Sequence, residues 1–280
     1  MPTTIRLAHS PDSDDAFMFH ALANGKIETG DFEFLHELRD IETLNRAAFE
    51  GRYEISAVSF HAYCHVADRY AILPHGASFG DGYGPVLISK EPLTRADLLA
   101  GAEVAVPGLL TTAYLTLRLY LGGAEPKHRV VPFDRIMEEV GRGALPAGLL
   151  IHEGQLTYAE EGFRLVEDLG RWWKAETGGP LPLGCNVIRK DLGPAAIRQV
   201  SRLLGESIRY ALAHREEALD YAMAYARNLP RGKADAFVGM YVNEWTKGYG
   251  EAGREAVRVL LGRAAEAGLL PRRVEPEFVE

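Results

Sequence analysis

The chain has 280 residues, 47% of them hydrophobic and 25% charged, with a formal net charge of −8, so it is long enough for two lobes and a sizeable core. An acidic balance without a Lys/Arg-rich block excludes the electrostatic footprint of a nucleic-acid or anionic-lipid binder and leaves small-molecule chemistry. Two cysteines, Cys64 and Cys185, have neither a CxxC partner nor a histidine at metal spacing, which argues against a disulfide framework or a zinc site.

From Ile5 to Ser59 short apolar runs alternate with helical stretches: strand IRLAHS, helix DAFMFHALANGKI, strand FEFLHELRD, helix IETLNRAAFEG, strand ISAVSF. That rhythm predicts βαβ units and a largely parallel sheet. Gly25 and Gly51 stand where helix C-caps belong. After AILPHGASFGDGYGPVLISK the rhythm restarts as EVAVPG, TTAYLTLRLYLGG, HRVVPF, DRIMEEVGRG, AGLLIHE, LTYAEEGF and RLVEDLG. TGGPLPLGCNVIRK then reads as a second crossing, and beyond Gly193 everything is helical. A second unit inserted in the first explains two crossings and a helical tail: residues 1–90 with 180–280 form lobe 1, residues 91–179 form lobe 2, and the ligand cleft lies between them. No basic leader and no 18-residue apolar run occurs, which predicts a cytoplasmic protein with no membrane partner.

Four strand ends carry polar residues. In HSPDSDD a calcium loop fails on spacing, because counting from Asp12 puts Phe17 at the sixth position and Ala23 at the twelfth. Helix capping by at least one of Asp12, Ser13 and Asp14 is expected; Asp14 and Ser10 are the candidates for the cleft wall, where acidic acceptors suit hydroxyls better than anions. In VPGLLTTAY an acid-free helix start, with Thr111, Thr112 and the Ala113 amide, suits a carboxylate. Ser59 ends ISAVS without a GxSxG elbow, which argues against a nucleophilic role. His152 ends the apolar run AGLLI and is the candidate general base. His9 is a candidate for the cleft lining, and Trp172 and Trp173 either cover a planar ligand or pack at the second crossing.

Taken in order, SPDSDDAFMFHAL, DIETLNRAAFEGRYEISAVSFHAY, GYGPVLIS, VAVPGLLTTAYLTLRLY, AGLLIHEGQLTY and DLGRWWKAETGGPLPLG closely resemble the 1,4-dihydroxy-6-naphthoate synthases of the futalosine route to menaquinone. The resemblance runs over nearly the whole chain and is weakest in the helical tail. It implies a two-lobed α/β fold of the type 2 periplasmic-binding-protein kind. It further implies a lyase that uses no metal or redox cofactor and cleaves cyclic dehypoxanthinyl futalosine to the naphthoate, or an isomer of it, and dihydroxyacetone. His152 then matches the family's base; Ser59, Thr111, Thr112 and Ala113 match its carboxylate and hydroxyl contacts. At Asp14 the chain departs from the SPCPNDTF form of many relatives, so which of Asp12, Asp14 and Asp15 faces the ligand stays open, as do product isomer and oligomeric state. Two rival readings remain: chorismate dehydratase of the same pathway, and a non-catalytic cytoplasmic module that binds a small carboxylate.

Overall fold

The computed structural model describes residues 2–227 and 229–280. Its strands are β1 (Thr3–His9), β2 (Phe32–Leu38), β3 (Ile55–Ser59), β4 (Tyr70–Ile72), β5 (Ser78–Gly80), β6 (Val86–Ser89), β7 (Val104–Val106), β8 (His128–Val130), β9 (Ala147–Leu150), β10 (Arg164–Asp168) and β11 (Leu181–Arg189). They form two sheets. The first has the order β2-β1-β3-β11-β4, with β5 also on β11; the second has the order β10-β6-β9-β7-β8.

The expectation of largely parallel sheets is corrected to mixed ones. The βαβ units do pair in parallel, β1 with β2 and β3, and β7 with β8 and β9. The strands that carry the chain between the sheets, β6 and β11, run against every neighbour. Which way a strand returning from the other sheet runs is set by the tertiary path, which hydropathy periodicity does not encode. The first crossing also falls earlier than residue 90, since Val86–Ser89 is already hydrogen-bonded into the second sheet.

Each sheet is covered on both faces. Along β6, Val86 and Ile88 join one core cluster and Leu87 another, the period-2 alternation of a strand with apolar layers on both sides. On the first sheet, helix Ser13–Ala23 packs Phe17 and Phe19 with Leu203 and Ile208 of helix Pro194–Ala213 and Val238 of helix Arg231–Tyr241. Val257, Leu260 and Leu261 of helix Gly250–Glu266 cover the other face with Phe60, Tyr63 and Val187. The helical tail therefore packs on the first lobe, as expected. Gly25 and Gly51 follow their helices with φ of 61° and 65°, the left-handed C-cap position that glycine fills without strain.

The crossing is tight. Asp168 caps helix Leu169–Thr177, accepting from the Gly170 and Arg171 amides at 3.0 Å each, while the Leu169 amide donates to Pro85 O at 3.0 Å. A Cβ at Gly170 would lie 1.9 Å from Tyr83 O and 2.5 Å from Gly84 N, so backbone would have to move. Gly170→Ala is therefore expected to cost about 2 kcal/mol in urea unfolding, as overpacking against an unyielding wall does; a neutral result would show that the crossing gives way. Trp173 belongs to this packing, 1% exposed with its indole N–H donating to Pro180 O at 3.1 Å, and Trp172 sets its edge against Tyr120.

Candidate functional site

One cavity between the two sheets is lined by Ser10, Asp14, Ser59, Thr111, Thr112, Ala113 and His152 together, with Asp12 and Asp15 beside them. It is partly open to solvent and combines apolar wall with a few convergent polar groups, which suits a small molecule. Ile41, Val58, Ile151 and Phe237 supply apolar wall. Trp172 and Trp173 lie outside the lining. His9 does too: it is buried against Phe19 and His36, its Nδ1 3.0 Å from Ser10 O and its Nε2 3.2 Å from His36 Nδ1. Burial pushes His9 down to about 3 and His36 down to about 4, with each other's charge adding for His9, so both are neutral structural histidines.

At the start of helix Thr112–Tyr120 both threonine hydroxyls are already committed. Thr111 Oγ1 donates to Gly108 O at 2.8 Å and accepts from the Tyr114 amide at 3.2 Å. Thr112 Oγ1 donates to Leu183 O at 2.6 Å and accepts from the His61 amide at 3.3 Å. Thr111 is thus the cap, and the first-turn amides of Thr112 and Ala113 are the donors an anion would meet. No acid lies in that first turn. Ser59 stands beside it, held by a reciprocal pair that sequence reading missed. The Ser59 amide donates to Asn45 Oδ1 at 2.9 Å, and Asn45 Nδ2 donates to Ser59 Oγ at 3.1 Å. The Ser59 hydroxyl accepts there, which leaves its proton for a ligand.

The opposite wall is the turn before helix Ser13–Ala23, and none of its side chains caps that helix, contrary to expectation. Asp12 holds the N-cap position without a side-chain cap bond. Its Oδ2 instead lies 3.1 Å from His152 Nδ1 and accepts from Ser10 Oγ at 2.5 Å, while Oδ1 accepts from Arg227. Burial would raise this carboxyl, but the His152 charge and hydrogen bond, with Arg227 and Ser10, hold it well below the usual carboxylate range. Asp15 closes the turn by accepting from the Ser10 amide at 2.7 Å. Asp14 has no side-chain hydrogen bond to another residue among the described residues, and burial, reinforced by Asp15, Asp12 and Glu153, raises its carboxyl well above the usual range.

Asp15 titrates near neutrality, pushed up to about 7 by burial and by the Asp12 charge. A carboxyl whose folded value exceeds its unfolded one stabilises fully below about 4 and loses that contribution as pH rises through about 7. Asp15→Asn keeps an acceptor for the Ser10 amide, so its melting temperature relative to the parent should be higher at pH 8 than at pH 4. An offset that does not change with pH would contradict the buried-acid account.

His152 sits two residues beyond β9, as its sequence position suggests. Its ring centroid is 3.8 Å from that of Phe133, and Nε2 is buried with no hydrogen-bond partner. Next to it Glu153 Oε2 accepts from Arg227 Nη1 at 2.9 Å. Asp12, His152 and Glu153 offer ligand atoms within 4.8 Å of one another, close enough for a metal ion, but a guanidinium bridges the two carboxylates here. Arg227 escaped sequence reading because it lies 215 residues from Asp12, in a tail without motif.

The family model for menaquinone biosynthesis matches residues 5–266. A 1,4-dihydroxy-6-naphthoate synthase of Thermus thermophilus is 43% identical over 98% of this chain and 99% of its own. The chain belongs to the 1,4-dihydroxy-6-naphthoate synthase family of menaquinone biosynthesis. A crystal structure of an Archaeoglobus fulgidus protein, 46% identical, superposes with a TM-score of 0.90 over 95% of this chain and 98% of that one. The alkanesulfonate-binding protein of Xanthomonas axonopodis pv. citri, bound to MOPS, shares only 14% identity but gives a TM-score of 0.70, covering 98% of this chain and 96% of its own. The synthase family here thus wears the fold of periplasmic binding proteins, and this member is an enzyme of menaquinone biosynthesis. Among the described residues no helix is long and apolar enough to cross a membrane.

Proposed function

We propose that the chain is a lyase that cleaves cyclic dehypoxanthinyl futalosine to 1,4-dihydroxy-6-naphthoate, or an isomer of it, and dihydroxyacetone, with His152 as general base. The observation that carries the reading is the His152 ring: Nδ1 faces the Asp12 carboxylate at 3.1 Å and Nε2 has no partner, the tautomer a base needs. The substrate carboxylate is assigned to the Thr112 and Ala113 amides and the Ser59 hydroxyl, away from the acids; the sugar-derived hydroxyls are assigned to the Asp14 side, where a carboxyl held toward its protonated form can donate as well as accept.

His152 Nε2 takes a C–H proton from the sugar-derived portion as the spiro ring opens, which leaves the ring oxygen as a hydroxyl on the former spiro carbon. The C–C bond from that carbon to the three-carbon fragment then breaks with its pair on the fragment, the hydroxyl becoming a carbonyl; the fragment takes a proton and leaves as dihydroxyacetone, and enolisation to the aromatic ring drives the release. The two lobes, the first crossing between them lying before Val86, close on the ligand. Incubation of the purified chain with cyclic dehypoxanthinyl futalosine, followed by naphthoate absorbance, should show catalytic conversion. Binding without conversion would favour a carboxylate-binding module, and conversion of chorismate instead would favour the dehydratase.

A further inference from the structure

Arg227 lies in the helical tail of the first lobe, yet it reaches a residue of each wall. Nη1 donates to Glu153, which follows β9 of the second sheet, and Nη2 donates to Asp12 and, at 3.3 Å, to Pro11 O beyond β1 of the first. The guanidinium also stacks over Phe133, 4.5 Å from the ring centroid, and Phe133 is the ring that packs on His152. Among the described residues Arg227 is the one non-glycine with positive φ, at 47°, a left-handed conformation that persists where surrounding contacts demand it.

We propose that Arg227 is a positioning residue for His152, holding Asp12 and Glu153 as a neutralised pair across the cleft so that Asp12 presents one oxygen to Nδ1 while the imidazole stays a base. The proposal rests on the reading of His152 as base. The groups facing that imidazole are Asp12, Glu153 and Arg227, with Asp14 and Asp15 on the turn behind Asp12, Asp134 and Glu161 along the adjoining cavity, and the Tyr241–Gln155 pair at 2.8 Å. Among the described residues Arg227 is the one arginine or lysine that contacts either carboxylate. Removing it leaves uncompensated anions around the ring, which favours imidazolium, so a higher pH is needed to free the base.

The test is the pH profile of kcat/KM for conversion of cyclic dehypoxanthinyl futalosine. In Arg227→Met the acidic limb should move up by about one pH unit, so that the rate well below the limb falls about tenfold more than the rate on the plateau. Arg227→Lys keeps the charge and should hold the limb near its wild-type position. In Arg227→Met/Glu153→Gln, where one charge of each sign is gone, the limb should return toward wild type. Glu153→Gln alone should move it down, which keeps the inference testable should the methionine variant fail to fold. Loss by the same factor at every pH, or damage in the double variant that merely accumulates, would overturn it. His152→Asn separates the two layers: full turnover in that variant would sink the base itself, whereas an inactive His152→Asn with an unmoved limb in Arg227→Met would sink only the role of Arg227.

Discussion

His152→Asn should leave a folded protein whose kcat for cyclic dehypoxanthinyl futalosine is about 10²–10⁴-fold lower, the range that a positioned general base contributes. The ring makes its protein contacts through Nδ1 to Asp12 and through tilted packing against Phe133, so asparagine, which retains an N–H for Asp12, removes the proposed base while sparing the ion network. KM should change little, because the substrate's carboxylate and hydroxyls are assigned to other walls. Stopped assays at saturating substrate, with circular dichroism to check the fold, decide the matter. Turnover within a few-fold of the parent would show that proton abstraction belongs to another group.

Asp12→Asn is the second large effect, and its expected signature differs. The carboxylate accepts from Ser10, faces His152 Nδ1 and meets Arg227, so it fixes which imidazole nitrogen carries the proton. An amide at this place can turn its NH2 group to Nδ1, which puts the proton on Nε2 and blocks the base. By analogy with triads in which the orienting acid is neutralised, kcat should fall about 100-fold or more. The residual activity should be pH-dependent, since neutral Asn no longer stabilises imidazolium. Because the Asp12 carboxyl is held below its ordinary value, its contribution to stability is present above about pH 4 and is lost as pH falls. The parent and Asp12→Asn should therefore converge in thermal stability under acid conditions. A kcat near that of the parent would reduce Asp12 to a structural ion pair.

The strand ends were legible in the sequence because each places a polar residue after an apolar run: Ser10 after β1, Ser59 at the end of β3, Thr111 after β7 and His152 after β9. In an open α/β arrangement such positions converge on one crevice, and all four line the same cavity. What the polar groups do there was less legible. Three acids before a helix look like caps, and only the fold shows that Asp12 turns away from its own helix toward a histidine 140 positions on. Asn45 is a residue of helix Ile41–Phe49 with no sequence signal; its role follows from meeting Ser59 across two elements. The direction of β11 and the reach of Arg227 across the cleft depend on which segments the chain brings back together, and hydropathy periods carry no record of that. The tryptophan pair was readable as hinge or lid, and burial of Trp173 against Pro180 decides for the hinge.

The ligand is expected in one orientation, carboxylate at the Thr112–Ala113 amides and reacting carbon at His152. A crystal structure of the inactive His152→Asn variant in complex with cyclic dehypoxanthinyl futalosine tests it most directly. The predicted result places the carboxylate within hydrogen-bond distance of those amides and Ser59, the hydroxyls against Asp14, and the carbon to be deprotonated beside residue 152. A carboxylate seated instead on the Asp12–Asp15 turn would overturn this orientation and the role given to His152.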